Sequence, residues 1–429
     1  MIDINEYSKR FYKGMKKPSL NAMRFFMNKY NNFEKKMKFI HIAGTNGKGS
    51  CTEMISNVLV IQGYKVGKFI SPHLIKFNER ICINGKDISD EELLELLEEL
   101  TPVIEEYNNT QNDKITFFEF QTILTLLYFY RNNVDFAVLE TGLGGLYDCT
   151  NIITMPLVSI ITSIGYDHMN ILGKSLIEIA KQKAGIIKRN SNTIIFQNSP
   201  DIDNIFIEIC KDNENEIHIV KESTIKNYSY DNNFQYFDYK DKKNIAINLR
   251  GKVQIKNAVL CIEAIDILKK SGYNISDENL KYGLKSVVHK GRMECLNEFP
   301  TIIYDGAHNE PAIKNFQNMI KMYYQGKKNI YIIAILKSKD YDKILKILAK
   351  DANGYFVLTS GSNTGEFATC DELYSKMIRH VSTNKICKKN LEKALEDSMN
   401  GDINCCVFVV GSFHIYDIVD KIIKKEKRK

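Results

Sequence analysis

The sequence predicts an α/β protein of two domains, each built around a doubly wound, mainly parallel sheet. Short apolar runs of strand length alternate with longer segments of helical periodicity along most of the chain. An early strand leads directly into a glycine-rich loop and then a helix, the arrangement typical of phosphate-binding turns. At 429 residues, the chain is also too long for one ordinary hydrophobic core.

The first domain is predicted over residues 1–298. It contains a buried strand at 38–43, the glycine-rich loop at 44–50 and a helix at 52–62. Later elements of the same alternating series are strands at 66–70, 134–139 and 156–161 and helices at 90–107 and 116–131, with Ser89 or Asp90 as the N-cap of the first helix. An aromatic and polar stretch at 227–250 favours a small antiparallel insert over another crossover helix.

A smaller, Rossmann-like α/β domain is predicted over residues 299–429, with the boundary near Glu298. A helix at 255–268 and a polar segment at 288–300 precede this boundary. A second alternating series comes after it, with strands at 301–304, 329–336, 355–359 and 405–410, helices at 312–322 and 344–349, and a closing helix.

Composition excludes several classes of protein. Apolar residues form 44% of the chain and charged residues 26%, as in globular proteins. The ten cysteines are scattered without CxxC spacing, so the sequence predicts a cytoplasmic protein without disulfides or zinc. No secretory leader or membrane span is expected. The net charge of +7 suits anionic small molecules, and nucleic acid is not an expected partner because no aromatic and basic stripe accompanies it; the basic run at 424–429 is expected to be a solvated tail.

The loop after the first strand has the sequence GTNGKGS, a variant of the P-loop motif. It consists of Gly44, Thr45, Asn46, Gly47, Lys48, Gly49 and Ser50. Glycines allow backbone N–H groups to approach phosphate oxygens, Lys48 supplies a positive charge, and the Ser50 hydroxyl is a candidate Mg²⁺ ligand. The match to the usual P-loop pattern is imperfect, because Gly49 separates Lys48 from Ser50. By itself, the loop predicts only that the chain binds a nucleotide.

Further motifs identify a family resemblance. The stretch at 41–89 precedes LETGLGGLYDCTN at 139–151, DH at 167–168, KQKAGIIK at 181–188, GKVQIKNA at 251–258, GRME at 291–294 and DGAHN at 305–309. In this order, these motifs resemble the folylpolyglutamate synthase and dihydrofolate synthase family of Mur-type ligases. The resemblance implies an acid–amino-acid ligase of one-carbon metabolism in which ATP phosphorylates a folate or dihydropteroate carboxylate. The amine of L-glutamate then displaces phosphate, with Mg²⁺ as cofactor and a monomer as the active form.

The resemblance also implies the metal ligands, which are Ser50, Ser71, Glu140 and His168. Glu140 ends a predicted buried strand, where a carboxylate without a cation or donor is unfavourable. The alternative for Glu140 is an acid facing solvent at the strand end. For His168, the alternative is a residue that caps the turn after a strand.

Other roles are implied residue by residue. Lys183 matches the family lysine that CO₂ carbamylates, and the alternative is a surface helix lysine. Gln254 and Asn257 resemble amides that contact the nucleotide, and the alternative is ordinary helix-surface polarity. Arg292 resembles the arginine that reaches the phosphates. The resemblance extends to Asp305 and His308, which match residues facing the nucleotide and the reacting phosphate; the alternative is a DG turn beside an unrelated histidine.

This sequence departs from the family pattern at substrate-facing positions. Leu146 replaces an arginine of the usual GGRLDATN motif, and Phe367 replaces the arginine of Pro-Arg-Ala. Lys290 replaces a proline, and the segment at 337–340 keeps part of an Asp-Lys-Asp pattern. Two alternatives therefore stay open: a Mur-type ligase for another acid and amine, and a P-loop switch or motor. The second leaves Glu140, His168, Arg292 and the DGAHN segment without a role.

Overall fold

In this computed structural model, residues 7, 11–12, 16–361 and 366–427 are described. Their contacts divide the chain into two compact units. Unit 1 contains most of the chain up to Val287, and unit 2 contains residues 231–233, 249–253 and the chain from Val288 onward. The predicted boundary at Glu298 therefore falls inside unit 2. The physical reason is a strand at 294–297, within the segment expected to be a polar linker, that pairs with the next strand.

Unit 1 is built on an eight-stranded sheet in the order β4-β3-β2-β5-β1-β6-β7-β8. Its strands are β1 (Phe39–Ala43), β2 (Val66–Phe69), β3 (Ile81–Ile83), β4 (Lys86–Asp87), β5 (Phe136–Glu140), β6 (Pro156–Ile161), β7 (Asn192–Phe196) and β8 (Glu216–Val220). The neighbouring strands of the series β2-β5-β1-β6-β7-β8 pair in parallel, while β3 and β4 pair antiparallel at one edge of the sheet. The predicted mainly parallel sheet is confirmed.

Helices cover this sheet. They are α1 (Asn21–Lys29), α2 (Lys48–Ile61), α3 (Asp90–Thr110), α4 (Phe117–Arg131), α5 (Met169–Leu172), α6 (Leu176–Ala184), α7 (Pro200–Asp212), α8 (Lys252–Lys270) and α9 (Asp277–Ser286). Ser89 and Thr116 form capping boxes with Glu92 and Glu119, which fixes where α3 and α4 begin. β1 and β5 are buried along their whole length, so a rigid core holds the loops at their carboxyl ends.

The predicted antiparallel insert is also confirmed. A three-stranded sheet in the order β11-β10-β9 consists of β9 (Ile225–Tyr230), β10 (Gln235–Tyr239) and β11 (Lys242–Ile247). Both pairings in this sheet are antiparallel.

Unit 2 contains a six-stranded sheet in the order β12-β13-β17-β14-β15-β16. Its strands are β12 (Glu294–Asn297), β13 (Thr301–Asp305), β14 (Lys328–Ile333), β15 (Gly354–Leu358), β16 (Ile386–Lys388) and β17 (Cys405–Val410). Its helices are α10 (Glu310–Tyr323), α11 (Tyr341–Leu348), α12 (Cys370–Met377), α13 (Leu391–Met399) and α14 (Tyr416–Glu426). All pairings are parallel except that of β12, as a Rossmann-like domain with one antiparallel edge strand requires.

Three findings bear on the expectations drawn from composition. Over the described ranges, no helix is long and apolar enough to cross a membrane. All ten cysteines are free in this structure. Of the basic run at 424–429, Lys424 lies on α14 and pairs with Asp420, whereas residues 428–429 lie outside the described residues.

Candidate functional site

The glycine-rich loop lies at the carboxyl end of β1, in the interior of the unit 1 sheet. β1 pairs with β5 on one side and with β6 on the other, both in parallel. The residues directly after β5 and β6 therefore lie at the same sheet edge as the loop. Ligand sites of open α/β sheets lie at this edge, where loops from neighbouring strands meet.

Close packing fixes the loop in one conformation. Gly44 and Gly47 have φ values of 152° and 93°, which side chains rarely tolerate. A Cβ on Gly44 would lie 1.8 Å from Thr162 Oγ1. The backbone N–H of Thr45 donates to the Ser163 carbonyl at 2.8 Å. Two hydroxyl residues after β6 thus hold the loop, and the first N–H groups of α2 have no partner inside their own helix. This is the geometry of an anion site.

Lys48, Glu140 and Ser71 come together at this edge. Lys48 Nζ donates to the Gly44 carbonyl at 3.1 Å and lies 4.0 Å from Glu140 Oε1. The Ser71 N–H donates to Glu140 Oε2 at 3.3 Å. Glu140 is only 5% exposed, so the alternative of a solvent-facing acid is wrong. Ser50 is buried in the first turn of α2.

Lys183 lies in the interior and not on a helix surface. It is 3% exposed on α6. Burial, and then the charge of Lys48, lower the pKa of Lys183 from 10.5 to about 7, while Asp167 and Asp148 act in the opposite direction. A substantial fraction of this amine is therefore neutral, and nucleophilic, near pH 7.

His168 lies next to one of these acids, Asp167. Its Nε2 is 3.8 Å from Asp167 Oδ1, and its side chain is about half exposed. His168 also occupies the N-cap position of α5 with a left-handed φ of 47°, without a capping hydrogen bond from its side chain. The backbone of His168 thus forms the turn before α5, while its imidazole remains accessible to a ligand.

Gln254 and Asn257 are buried on α8, contrary to the surface alternative. Asn257 Nδ2 donates to Gln254 Oε1 at 2.9 Å. Asn257 also packs against the loop, because a Cβ on Gly47 would lie 2.6 Å from its Oδ1. The pair therefore braces the P-loop from the side of α8.

Unit 2 has its own strand-end group, formed by Arg292, Asp305, His308 and Phe413. Asp305 ends β13, and its two oxygens accept from the Ala307 N–H at 2.8 Å and the Met293 N–H at 3.0 Å. Burial raises the pKa of Asp305, and Arg292 opposes this shift. The guanidinium of Arg292 lies 4.5 Å from the ring centre of Phe413, within the range of a cation–π contact.

His308 belongs to the same group. Its Nδ1–H donates to the Gly306 carbonyl at 2.7 Å, and its ring lies edge-on to Phe413 at 5.8 Å. Gly306 allows this packing, since a Cβ there would lie 2.0 Å from Phe413. The turn at 305–308 and the contact with Phe413 together hold the His308 ring.

Sequence reasoning missed several residues at these edges. Phe413 comes shortly after β17, and its position beyond a buried strand was a usable signal. Arg80 is half-buried, and it donates to His73 Nδ1 at 2.8 Å and Gln121 Oε1 at 3.0 Å. Burial lowers the pKa of Arg80 to about 10, although Glu140 raises it. No local pattern marks Arg80, because one of its two partners, Gln121, is distant in sequence.

The donor set bears on the predicted magnesium site. Among the residues that the structure describes, no group of three or more His, Cys, Asp or Glu side chains is arranged to hold a metal ion. The predicted ligands include one carboxylate, one imidazole and two hydroxyls. Such a set fits Mg²⁺ bound together with a nucleotide, since Mg²⁺ commonly takes one or two carboxylates and completes its shell with phosphate and water.

Comparison with known proteins gives matches along most of the chain. The family model for the Mur ligase middle domain matches residues 42–265, and that for the Mur ligase glutamate ligase domain matches residues 291–413. The dihydrofolate synthase/folylpolyglutamate synthase of Bacillus subtilis (strain 168) is 37% identical over 344 residues, covering 77% of this chain and 79% of the relative.

Solved structures agree. The folylpolyglutamate synthase of Thermotoga maritima superposes with a TM-score of 0.84 at 27% identity, covering 100% of this chain and 97% of the other. A folylpolyglutamate synthase complex with AMPPCP and folate superposes with a TM-score of 0.83 at 26% identity, covering 97% of each chain. On these matches, the chain belongs to the dihydrofolate synthase/folylpolyglutamate synthase family of Mur ligases.

Proposed function

We propose that this protein is a folylpolyglutamate synthase, which uses ATP to add L-glutamate to a folate carboxylate and releases ADP and phosphate. The observation that carries the proposal is the P-loop lysine, Lys48, beside the buried strand-end carboxylate of Glu140. This pair, in a family of ligases, supports phosphoryl transfer followed by amide formation. Dihydrofolate synthase activity is proposed as a second reaction of the same site.

The proposed reaction has two steps, formation of an acyl phosphate and formation of an amide bond. A folate carboxylate oxygen attacks the γ-phosphorus of ATP, forming an acyl phosphate as ADP leaves. The amine of glutamate then attacks the acyl carbon, phosphate leaves with the carboxylate oxygen, and a proton is released. In this proposal, residues 44–50 hold the phosphates, and Lys48 balances the negative charge that builds up during transfer.

Ser50, Ser71, Glu140 and His168 are proposed to hold magnesium with the nucleotide. When bound, Mg²⁺ would neutralise charge on the transferring phosphoryl group. The support from this chain is its set of hydroxyl, carboxylate and imidazole donors. Glu140 and Ser71 are already in contact through the Ser71 N–H.

Lys183 is proposed to be carbamylated. Its neutral amine would attack CO₂, forming the N–C bond of a carbamate and releasing one proton. The lowered pKa of Lys183 supports this reaction, because only the unprotonated amine is nucleophilic. Burial of the side chain would protect the product from water.

Gln254 and Asn257 are proposed to contact the nucleotide while bracing the loop. Arg292, Asp305 and His308 are proposed to contact the phosphates and the nucleotide, as their match to the family motifs implies. Within this group, Asp305 fixes the backbone next to Arg292 and His308 through its two N–H acceptor contacts.

The substitutions at Leu146 and Phe367 bear on one alternative, a Mur-type ligase for another acid and amine. Leu146 is 40% exposed, so this departure changes a surface that a ligand can reach. Phe367 is buried, pairs with Leu336 and packs against Gly361, so its role is packing. Leu146 alone therefore supports the alternative.

Product analysis by mass spectrometry tests the proposal. The enzyme is given Mg-ATP and glutamate, with a reduced folate monoglutamate in one tube and dihydropteroate in another. A folate product heavier by one glutamyl group, with one ADP for each addition, supports the synthase. Product from dihydropteroate supports the second activity. A folded, ATP-binding enzyme that forms neither product contradicts the folate assignment and favours the alternative ligase.

A further inference from the structure

The segment at 162–168 joins β6 to α5 in unit 1 and has neither helical nor strand structure. It ends at His168, which is proposed above as a ligand of magnesium. A segment without regular structure has no hydrogen-bond ladder of its own, so its conformation depends on the partners of its backbone N–H and C=O groups. The P-loop supplies several of these partners.

Thr45 of the P-loop forms a reciprocal pair of hydrogen bonds with Gly165. Its Oγ1 hydroxyl donates to the Gly165 carbonyl at 3.0 Å and accepts from the Gly165 N–H at 3.1 Å. The Thr45 N–H also donates to the Ser163 carbonyl at 2.8 Å. One residue thus holds three backbone groups of the segment, and two of them belong to the residue three positions before His168.

Asn46 makes a second set of contacts with the same segment. Its N–H donates to Ser163 Oγ at 3.0 Å. Its carbonyl accepts from Thr162 Oγ1 at 2.7 Å and from Ser163 Oγ at 3.0 Å. These contacts fix the beginning of the segment, whereas the Thr45 hydroxyl holds its middle.

Both hydrogen-bond donors of Thr45 are engaged in these contacts. A threonine hydroxyl has one O–H donor, and that of Thr45 is directed to the Gly165 carbonyl. The backbone N–H is directed to Ser163. Phosphate oxygens are recognised by donors, so neither donor of Thr45 is directed to a nucleotide in this conformation. The contacts of Thr45 therefore differ from the phosphate-binding role that the sequence motif predicts for it.

We propose that Thr45 is a positioning residue that acts through His168: its hydroxyl fixes Gly165 and thereby the place of the imidazole beside the P-loop. This inference rests on the proposed function, because His168 has its role in that reaction. Loss of the hydroxyl would leave the Gly165 N–H and carbonyl without their partner, and the chain leading to His168 would shift. Displacement of a reacting group by about 1 Å can lower a rate by about a hundredfold.

Amide hydrogen exchange tests the contact in the full chain without metal or nucleotide. The test variant is Thr45→Val, which keeps the branched shape and removes the hydroxyl, and Thr45→Ser is the conservative variant. The matched control is Thr125→Val, since Thr125 is a buried threonine whose hydroxyl donates to the Gln121 carbonyl of its own helix, at 2.7 Å. Exchange at Gly165 should be about tenfold faster in Thr45→Val, because one hydrogen bond is lost, and unchanged in the other two variants.

Kinetics test whether the contact acts on the reaction. Thr45→Val should lower kcat by about tenfold to a hundredfold, and Thr45→Ser should restore it. The Kd for ATP, measured by calorimetry, should stay at the wild-type value, since Thr45 directs no donor to a phosphate. In a His168→Asn background, Thr45→Val should not lower the residual rate further, because residues that act through one group are not additive.

Gly165 exchange at the wild-type rate in Thr45→Val would overturn the inference. A rise in the Kd for ATP as large as the fall in kcat would also overturn it, because Thr45 would then be a nucleotide contact. If Thr45→Val does not fold, wild type decides: the Thr45 and Gly165 amides should be similarly protected, and a protected Thr45 amide with an unprotected Gly165 amide overturns the inference. A wild type that adds no glutamate to folate contradicts the proposed function instead, and the exchange measurements still decide whether Thr45 holds the segment.

Discussion

Glu140 in unit 1 and Asp305 in unit 2 occupy equivalent places, each at the carboxyl end of a buried parallel strand, yet their contacts differ. Glu140 faces the Lys48 ammonium at 4.0 Å and the Ser71 N–H at 3.3 Å. Asp305 accepts two short backbone hydrogen bonds, at 2.8 and 3.0 Å, beside Arg292. The first carboxylate is surrounded by groups that serve a phosphate, and the second organises its own backbone.

Position at a strand end therefore does not determine a carboxylate's role, because the role depends on the partners. The Glu140 carboxylate, 4.0 Å from the P-loop lysine, can exchange partners when a nucleotide binds. The Asp305 carboxylate cannot move without leaving two backbone N–H groups unpaired. Substitution of Glu140 should therefore lower activity, whereas substitution of Asp305 should lower stability.

The largest effect is expected at the Lys48–Glu140 pair. Lys48→Met or Glu140→Gln should lower kcat by about 10²–10³-fold, because each removes a preorganised charge at the transferring phosphoryl group. ADP release in the presence of folate and glutamate measures this loss. Glu216→Gln, at an exposed strand position, is the matched control. A Glu140→Gln enzyme of full activity would contradict the role of this carboxylate.

Lys183 gives a pH-dependent effect. Its pKa is about 7 folded and 10.5 unfolded, so between these values the unfolded chain binds more protons and stability rises with pH. Below pH 7 the protonated, buried amine imposes its full penalty. In CO₂-free buffer, Lys183→Met should therefore be more stable than wild type by about 2–4 kcal/mol at pH 6, with the difference shrinking toward pH 10.5.

Urea unfolding at several pH values checks this prediction. A difference that stays constant from pH 6 to pH 10 would show that Lys183 titrates normally. The activity readout is separate: bicarbonate should raise the rate of wild type and leave that of Lys183→Met unchanged.

Asp305→Asn should act on stability. The amide offers one acceptor oxygen for two N–H groups, so one of them loses its partner and the free energy of unfolding should fall by about 1–3 kcal/mol. Denaturant titration measures this change, with the exposed Asp371→Asn as control. A Glu140→Gln variant that loses equal stability would remove the contrast between the two strand ends.

The smallest effect is expected at Phe413. Phe413→Leu removes the ring under Arg292, a contact of about 0.5–2 kcal/mol, and should raise KM for ATP a few-fold with kcat nearly unchanged. Phe413→Tyr keeps an aromatic face and should restore the wild-type KM. If leucine and tyrosine behave alike, the contact does not position Arg292.

The fold was largely predictable from the sequence because strand and helix periods alternate cleanly. β6 and β17 begin and end where the apolar runs do. β12 was missed because four residues at a sheet edge carry a polar pattern, and its pairing with β13 is visible only in three dimensions. The same holds for β3 and β4, two short antiparallel strands of which β4 forms the sheet edge.

The candidate site was predictable in its loop and strand-end residues, whose positions depend on the order of elements. Burial was not predictable: Lys183, Gln254 and Asn257 each had a surface alternative, and all three are buried. Their burial depends on which helix packs over the loop. The contact between Arg292 and Phe413 joins residues far apart in sequence, which periodicity does not predict.

Transfer of a phosphoryl group from ATP to a carboxylate, before glutamate is joined, is the step on which the proposed function depends. Folate labelled with ¹⁸O in the reacting carboxylate tests it directly, with mass analysis of the released phosphate. One ¹⁸O in each phosphate, at one phosphate per glutamate added, is the predicted result. Glutamylated product with unlabelled phosphate would contradict the acyl phosphate and the assignment of Lys48 and Glu140 to its formation.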